Sequence, residues 1–312
     1  MKPIAPLISV IIPVFNRSWQ LRRALQSLKL QTFGDFEVIV CDDGSTESIA
    51  SVVKEFDREL NIRLLQMVNW GGPAKPRNEG LKVAKGLWVA YLDSDDWWDE
   101  NRLDIVVRHL NDRVDFIYHR LRVARESNSI KKREKRATIG DSIWGDPFRQ
   151  MMLFGNPIPT SATVVRRDIL LEFQGMSEER TLISLEDFDC WMRLARAGKN
   201  FYFLDLCLGN YWVGGDAIST ISCKTIDAQH LLYLRNAPKT NSLFSKQALA
   251  RQNYVLGLLN YRLGNLGLAF EYLKLAYPLI CFQLKAKRWI LIIHVALKII
   301  RNHMNQYGAG AC

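Results

Sequence analysis

The sequence predicts an α/β protein, with a doubly wound, largely parallel sheet first and a helical region after it. Two observations carry that expectation. Short apolar, β-branched runs alternate with helix-periodic segments between positions 7 and 92, a pattern that builds parallel sheets with helices on their faces. Beyond position 225 only helix-periodic segments follow. The expected division is therefore 1–225 for the sheet domain and 226–312 for a helical region that ends in a basic amphipathic helix.

The elements follow in order. Positions 7–14 read as a buried strand closed by Pro13. Leu21, Ala24, Leu25 and Leu28 recur at helical spacing. Positions 36–41 read as a second strand, and Ser45 or Thr46 is placed to cap a helix to about position 56. A third strand is expected at 62–68, a helix at 78–85 and a fourth strand at 88–92. The middle is less regular. Positions 120–136 hold eight Lys/Arg against two Glu and read as a solvated loop or hairpin. A strand at 162–165, a helix at 184–197 with Ser184 as its N-cap and a strand at 201–208 complete the sheet region. Helices are then expected at 229–239, 245–263 and 266–277, with Gly264-Asn265 joining the last two as a tight pair.

Composition bounds the partners. The 312 residues are 48% hydrophobic and 24% charged, ordinary for a globular chain. A formal net charge of +10 favours acidic partners. Nucleic acid is disfavoured, because the basic residues cluster in a loop and an apolar helix without interleaved stacking aromatics. Cys41, Cys190, Cys207, Cys223, Cys281 and Cys312 show no paired or zinc-ligand spacing, so reduced thiols and a cytoplasmic location are expected. The apolar segment 279–300 carries Lys285, Lys287, Arg288 and Lys298, and its longest charge-free run, 289–297, is far below the roughly 20 residues a spanning helix needs. Two readings stand: a helix lying on an anionic membrane surface, or one docked on the protein.

The chemistry concentrates at strand ends, where open α/β sheets bind ligands. Asp93-Ser94-Asp95 follows the fourth strand. In extended backbone the two acids face one side, and carboxylate oxygens suit Mg²⁺ or Mn²⁺. The competing reading is an acidic turn, with Asp96 as its support. Asp42-Asp43-Gly44-Ser45 ends the second strand and can accept from a base or ribose, or cap a helix. Gly71-Gly72-Pro73-Ala74-Lys75-Pro76-Arg77 runs into a helix and can present Arg77 to phosphate, yet lacks the P-loop and dinucleotide spacings. Glu186-Asp187 opens a helix, where the dipole favours acids in any case.

Together these motifs resemble the family 2 glycosyltransferases. The resemblance rests on Val10-Ile11-Ile12-Pro13-Val14-Phe15-Asn16-Arg17, Val40-Cys41-Asp42-Asp43-Gly44-Ser45-Thr46, Arg77-Asn78-Glu79-Gly80, Leu92-Asp93-Ser94-Asp95-Asp96 and Glu186-Asp187-Phe188-Asp189-Cys190-Trp191. It covers roughly positions 7–215 and implies the GT-A fold: a nucleotide-sugar-binding, Rossmann-like mixed sheet flanked by helices, here with an α-helical C-terminal extension. It further implies that Pro13, Phe15, Asp42, Asp43, Arg77 and Asp93 bind the nucleotide sugar, and that Asp95 and Asp93 hold a divalent metal. Asp187 becomes the general base, and Glu186 orients the acceptor or Asp187. The donor would be a UDP-, dTDP- or GDP-sugar, and the acceptor a saccharide or lipid-linked hydroxyl in cell-surface polysaccharide synthesis. Two departures stand out: Lys75-Pro76 where small residues are common, and Tyr211-Trp212 followed by Gly214-Gly215-Asp216 where a histidine is common. Trp191 reads as packing, and Asn156, Thr160 and Ser161 are acceptor-side candidates. Rival readings are a sugar nucleotidyltransferase, disfavoured by the lack of glycine in Val14-Phe15-Asn16-Arg17, and a non-catalytic scaffold, disfavoured by retention of the acidic motifs.

Overall fold

The computed structural model describes residues 5–125, 137–214, 222–279 and 282–308, with side chains to Arg301. By contact the chain forms two compact units: Met1–Pro147 with Asn156–Ala217, and Phe148–Gly155 with Ile218–Cys312. The boundary thus falls at 217/218 rather than 225/226.

The first unit holds one mixed sheet of nine strands. These are β1 (Ile8–Val14), β2 (Phe36–Asp42), β3 (Ile62–Gln66), β4 (Trp88–Tyr91), β5 (Trp97–Trp98), β6 (Phe116–Arg125), β7 (Thr138–Ile139), β8 (Thr163–Arg166) and β9 (Phe201–Val213). Their order is β3-β2-β1-β4-β8-β6-β9-β5, with β7 paired to β6. The first four are parallel, as the alternating pattern requires. Every residue of β1 and β2 is buried, as expected of strands covered on both faces. Beyond β4 the sheet becomes mixed: β8 runs antiparallel to β4 and β6, while β6 and β9 are parallel.

Register sets up the site. Ile11 lies opposite Tyr91, and Val14 opposite Asp42. The segments leaving β1, β2 and β4 therefore emerge at one edge, bringing Phe15, Asp43 and Asp93 to the same end of the sheet. Helices α1 (Ser18–Lys29), α2 (Ile49–Lys54), α3 (Ala74–Val83), α4 (Arg102–Val107), α6 (Arg167–Glu172) and α7 (Glu186–Arg196) complete this unit.

Several boundaries differ from the sequence expectation for local reasons. Helix α3 begins at Ala74, not 78, because Pro76 in a first turn removes no intrahelical bond. Ser184 is not the cap of α7: it has φ +76°, and Leu185 precedes the helix. Helix α2 begins at Ile49, after Ser48, so neither Ser45 nor Thr46 caps it. Of the loop or hairpin expected at 120–136, positions 120–125 belong to β6 and pair antiparallel with β7, the hairpin reading. Arg120 pairs with Asp141 and Asp205, and Arg122 with Asp99. The rest of that basic stretch, 126–136, lies outside the described residues.

The second unit contains α5 (Pro147–Phe154), α8 (Cys223–Asn236), α9 (Leu243–Arg262), α10 (Leu266–Leu275) and α11 (Phe282–Gly308). Helix α5 joins it through Phe148 against Phe244 and through Arg251, which donates to the Phe154 carbonyl. Gly264, at φ +82°, makes the turn between α9 and α10. Tyr254, Ala269, Leu273, Ala276, Leu279 and Val295 form this unit's core. Cys41 and Cys190 are buried free thiols, while Cys281 and Cys312 lie outside the described residues.

Close packing of α3 on the sheet fixes Arg77. A Cβ added at Gly80 would stand 2.7 Å from Ile11 Cγ2 and 2.8 Å from Cys41 Sγ. Gly80→Ala is expected to lower stability by about 1–3 kcal/mol through overpacking, read as a lower urea midpoint.

Candidate active site

Arg77 lies in the first turns of α3 with its side chain only 4% exposed. One guanidinium nitrogen donates to Asp93 Oδ1, and the other donates to Glu186 Oε1 at 2.8 Å. Burial works against the charge of Arg77, and the two carboxylates overcome it and raise its pKa. Residues 16 and 109 positions away are thereby brought together. Arg77, expected to bind the nucleotide sugar, thus turns its two terminal nitrogens to protein carboxylates, one of them also 3.4 Å from Met176 Sδ. Glu186 is likewise buried, with Oε2 lacking a hydrogen-bond partner among the described residues. Its geometry is that of an anchor for Arg77 rather than of a group open to an acceptor.

Asp187 follows on α7. Its Oδ2 accepts from the Thr160 hydroxyl at 2.6 Å, and its Oδ1 from the Phe188 N–H at 2.6 Å. Burial raises its pKa, opposed by the Thr160 hydrogen bond and by Arg77, while Asp93 adds to the rise. Ser161 accepts from the Asp93 N–H at 3.0 Å. Thr160 and Ser161 thus orient the two acids, whereas Asn156 accepts from Ile158 N–H in a local turn.

Asp93 and Asp95 do share one region, as their spacing implies. Burial raises the pKa of Asp95, and the charge of Asp93 raises it further, opposed by Arg17. Arg17 donates to Asp95 Oδ2, and Arg23 donates to the Asp95 backbone carbonyl. Asp96 supports the turn: its N–H donates to the Asp93 carbonyl, and its Oδ1 accepts from the Trp212 N–H at 2.8 Å. Burial, then Asp93 and Asp95, pushes its pKa well up.

The nucleotide-side residues sit at the neighbouring strand ends. Phe15 is 45% exposed at the end of β1, open to stacking, and Pro13 is buried within the strand. Asp42 Oδ1 accepts from Ser45 N–H at 2.9 Å. Asp43 caps no helix. Its two oxygens accept from Trp70 N–H at 2.7 Å and Gly71 N–H at 3.0 Å, and its carbonyl accepts from Asn69. It anchors the loop that leads into α3.

Three features escaped the sequence reading. Arg17 and Arg23 brace Asp95. Arg23 lies over the rings of Trp97, Trp212 and Trp19 at 3.8, 4.7 and 5.1 Å, so Trp212 serves as packing for an arginine. Tyr211 has its phenol pushed up to about 12 by burial and then by Asp96, Asp93, Asp95 and Asp187. That one hydroxyl feels all four acids, which places them in a single electrostatic field. No local sequence pattern signals any of the three.

The family model described as Glycosyl transferase family 2 matches residues 9–194. The UDP-Glc:alpha-D-GlcNAc-diphosphoundecaprenol beta-1,3-glucosyltransferase WfgD of Escherichia coli is 32% identical over 127 residues, 40% of this chain and 50% of that protein. The poly(ribitol-phosphate) beta-N-acetylglucosaminyltransferase TarS of Staphylococcus aureus is 41% identical over 98 residues, 30% of this chain and 17% of TarS. The chain spans from 15% to 62% of the length of curated relatives it matches. Among solved structures, S. aureus TarS 1-349 in complex with UDP-GlcNAc superposes with TM-score 0.63 at 20% identity, covering 95% of this chain and 92% of that one. The mannosyltransferase PcManGT from Pyrobaculum calidifontis, in complex with GDP-Man and Mn²⁺, gives TM-score 0.59 at 17% identity, covering 95% of this chain and 81% of that one. At such identities the likeness establishes a shared fold.

Removing Arg77 leaves the buried Glu186 carboxylate and the half-buried Asp93 carboxylate uncompensated. Arg77→Met is expected to cost about 3–5 kcal/mol of unfolding free energy. Urea denaturation at neutral pH measures it, with the loss shrinking in acid as Glu186, its pKa raised by burial, protonates.

Proposed function

The chain belongs to glycosyl transferase family 2 and has the GT-A fold, and from that premise we propose that it transfers a sugar from a nucleoside-diphosphate donor to an acceptor hydroxyl with inversion. The acceptor is a saccharide or lipid-linked saccharide in cell-surface polysaccharide synthesis. WfgD is named for a diphosphoundecaprenol-linked acceptor, and TarS for a poly(ribitol-phosphate) one. The reaction is assigned to the cytoplasm, in keeping with cysteines spaced for neither disulfides nor zinc. The observation that carries the reading is the convergence of Asp93 and Asp187 through one buried arginine and the Thr160-Ser161 turn.

The donor is assigned to the edge where β1, β2 and β4 end, with the base against Phe15 and Pro13 and the ribose near Asp42, Asp43 and Asp93. Asp187 takes the proton of the acceptor hydroxyl as that oxygen attacks the anomeric carbon from the face opposite the diphosphate. Thr160 holds Asp187 in orientation, and Glu186 fixes α7 through Arg77. Arg77 acts from behind Asp93, balancing buried charge and setting that carboxylate's position.

A divalent cation, Mg²⁺ or Mn²⁺, fits this site. Among the described residues Arg17, Arg23 and Arg77 are the cations beside Asp93, Asp95, Asp96, Glu186 and Asp187, and Asp95 is raised by burial and then by the charge of Asp93. Among the described residues no three acids, histidines or cysteines converge at ligand spacing. Asp93 and Asp95 would therefore hold the ion together with donor phosphate oxygens and water. When bound, the ion supplies charge stabilisation for the leaving diphosphate.

Asp187→Asn is expected to lower kcat by about 10²- to 10⁴-fold, the usual contribution of a general base, while donor affinity stays within about twofold. The base works only when deprotonated, so kcat/KM falls as pH drops through the pKa of Asp187. Burial sets that acid limb above the ordinary aspartate value of about 3.9. Thr160→Val removes a hydrogen bond that stabilises the anion, so the limb moves to still higher pH. Near-normal turnover in Asp187→Asn, or a limb unmoved by Thr160→Val, contradicts the assignment.

A further inference from the structure

Helix α11 carries two apolar faces. At about 100° per residue, Leu284, Leu291, Ile292, Val295 and Ile299 share one arc and pack on the core that α9 and α10 build. Arg288 belongs to that side too. It is buried and donates to the carbonyls of Leu273 and Lys274 at 2.7 and 3.1 Å, which fastens α11 to the end of α10.

The opposite arc, again about 100° wide, holds Phe282, Trp289, Ile290, Ile293, Leu297 and Ile300. Each is more than half exposed, from 55% to 82%. A continuous apolar stripe of this length on one helix is uncommon on a soluble surface and marks an interaction site. Its borders are basic. Lys285 lies along one side, and Lys287 and Arg301 lie along the other, all exposed, while Lys298 donates to the Tyr261 hydroxyl. No Asp or Glu occurs anywhere from position 272 to 312, so nothing on the segment balances these charges.

We propose that this face of α11 lies in the plane of an anionic lipid bilayer, with the stripe in the headgroup–acyl boundary and the bordering cations at the lipid phosphates. An apolar face bearing a tryptophan and edged by Lys/Arg is how a helix rests in a membrane interface. Each exposed cation adds attraction to an anionic leaflet. The helix does not span: among the described residues, none is long and apolar enough to cross a membrane. A second copy of the chain is the poorer occupant. A two-fold contact through the stripe would set like-charged borders against each other, and like charges across an interface oppose association.

The test uses the full chain, in co-sedimentation with phosphatidylcholine vesicles that contain or lack phosphatidylglycerol. Binding requires neither donor nor acceptor, so its failure is distinct from any failure of the catalytic reading. Wild type is expected to bind the anionic vesicles and to release as salt rises. Trp289→Ser with Ile293→Ser, both at exposed positions, is expected to weaken partitioning by at least about tenfold with an unchanged melting temperature. Lys285→Glu with Lys287→Glu is expected to weaken it comparably at low salt. Equal binding to both vesicle types, no binding, or full binding by either double variant overturns the proposal. So does a dimer in sedimentation equilibrium that the Trp289/Ile293 variant disperses while wild type ignores vesicles.

Discussion

The guanidinium of Arg77, buried between Asp93 and Glu186, is the contact on which the polar end of the first unit depends. It ties the turn after β4 to the start of α7, and each of those segments carries the acid assigned to a different half of the reaction. Such a contact forms only when the surrounding fold is complete. Gly80 must let α3 approach Ile11 and Cys41, and Asp43 must hold the loop that leads into α3. A buried cation without partners is costly, and so is a buried carboxylate such as Glu186 without a cation. The arrangement is therefore strongly coupled: the Asp93 turn and the start of α7 are placed together or not at all.

The charge balance of the site follows from the same contact. Arg77 offsets part of the acid, and Arg17 and Arg23 offset part of Asp95, Arg23 while also donating to the Asp95 backbone carbonyl. Burial first, and neighbouring carboxylates after it, raise Asp95, Asp96, Asp187 and the Tyr211 phenol. An excess of carboxylate beside a strand end suits a divalent cation and repels a bare diphosphate. The tryptophans around Arg23 keep its guanidinium on the Asp95 turn without adding another carboxylate.

Strands β1, β2 and β4 were legible in the sequence because each is buried throughout and reads as a continuous apolar run. The polar clusters at their ends were legible for the same reason, since a strand end is where such a run stops. Strand β9 was read short, because its mixed burial gives no single period through to Val213. The roles within the site were harder. Local rules offered Asp43 and Ser45 as helix caps, yet the partners of Asp43 are N–H groups 27 and 28 residues away. Ser184 has the right side chain for a cap, but its backbone turns left-handed before α7 begins. Arg77 stands in a Gly/Pro-rich stretch that suggests an exposed phosphate loop. Only the long-range approach of Glu186 shows it to be buried. Residue type and spacing located the acids, while burial and long-range partners decided which are open to ligand and which are anchors.

The central claim is that these strand ends form a metal-assisted nucleotide-sugar site. The most direct measurement is calorimetric titration of the full chain with UDP, GDP and dTDP, each with Mn²⁺ and again with EDTA, beside Asp95→Ala. The account predicts saturable one-site binding of one of these nucleotides with Mn²⁺, weakened by EDTA and by the substitution, and competed by the matching nucleotide sugar. Binding of none of the three, or equal affinity with Mn²⁺ and with EDTA, contradicts it.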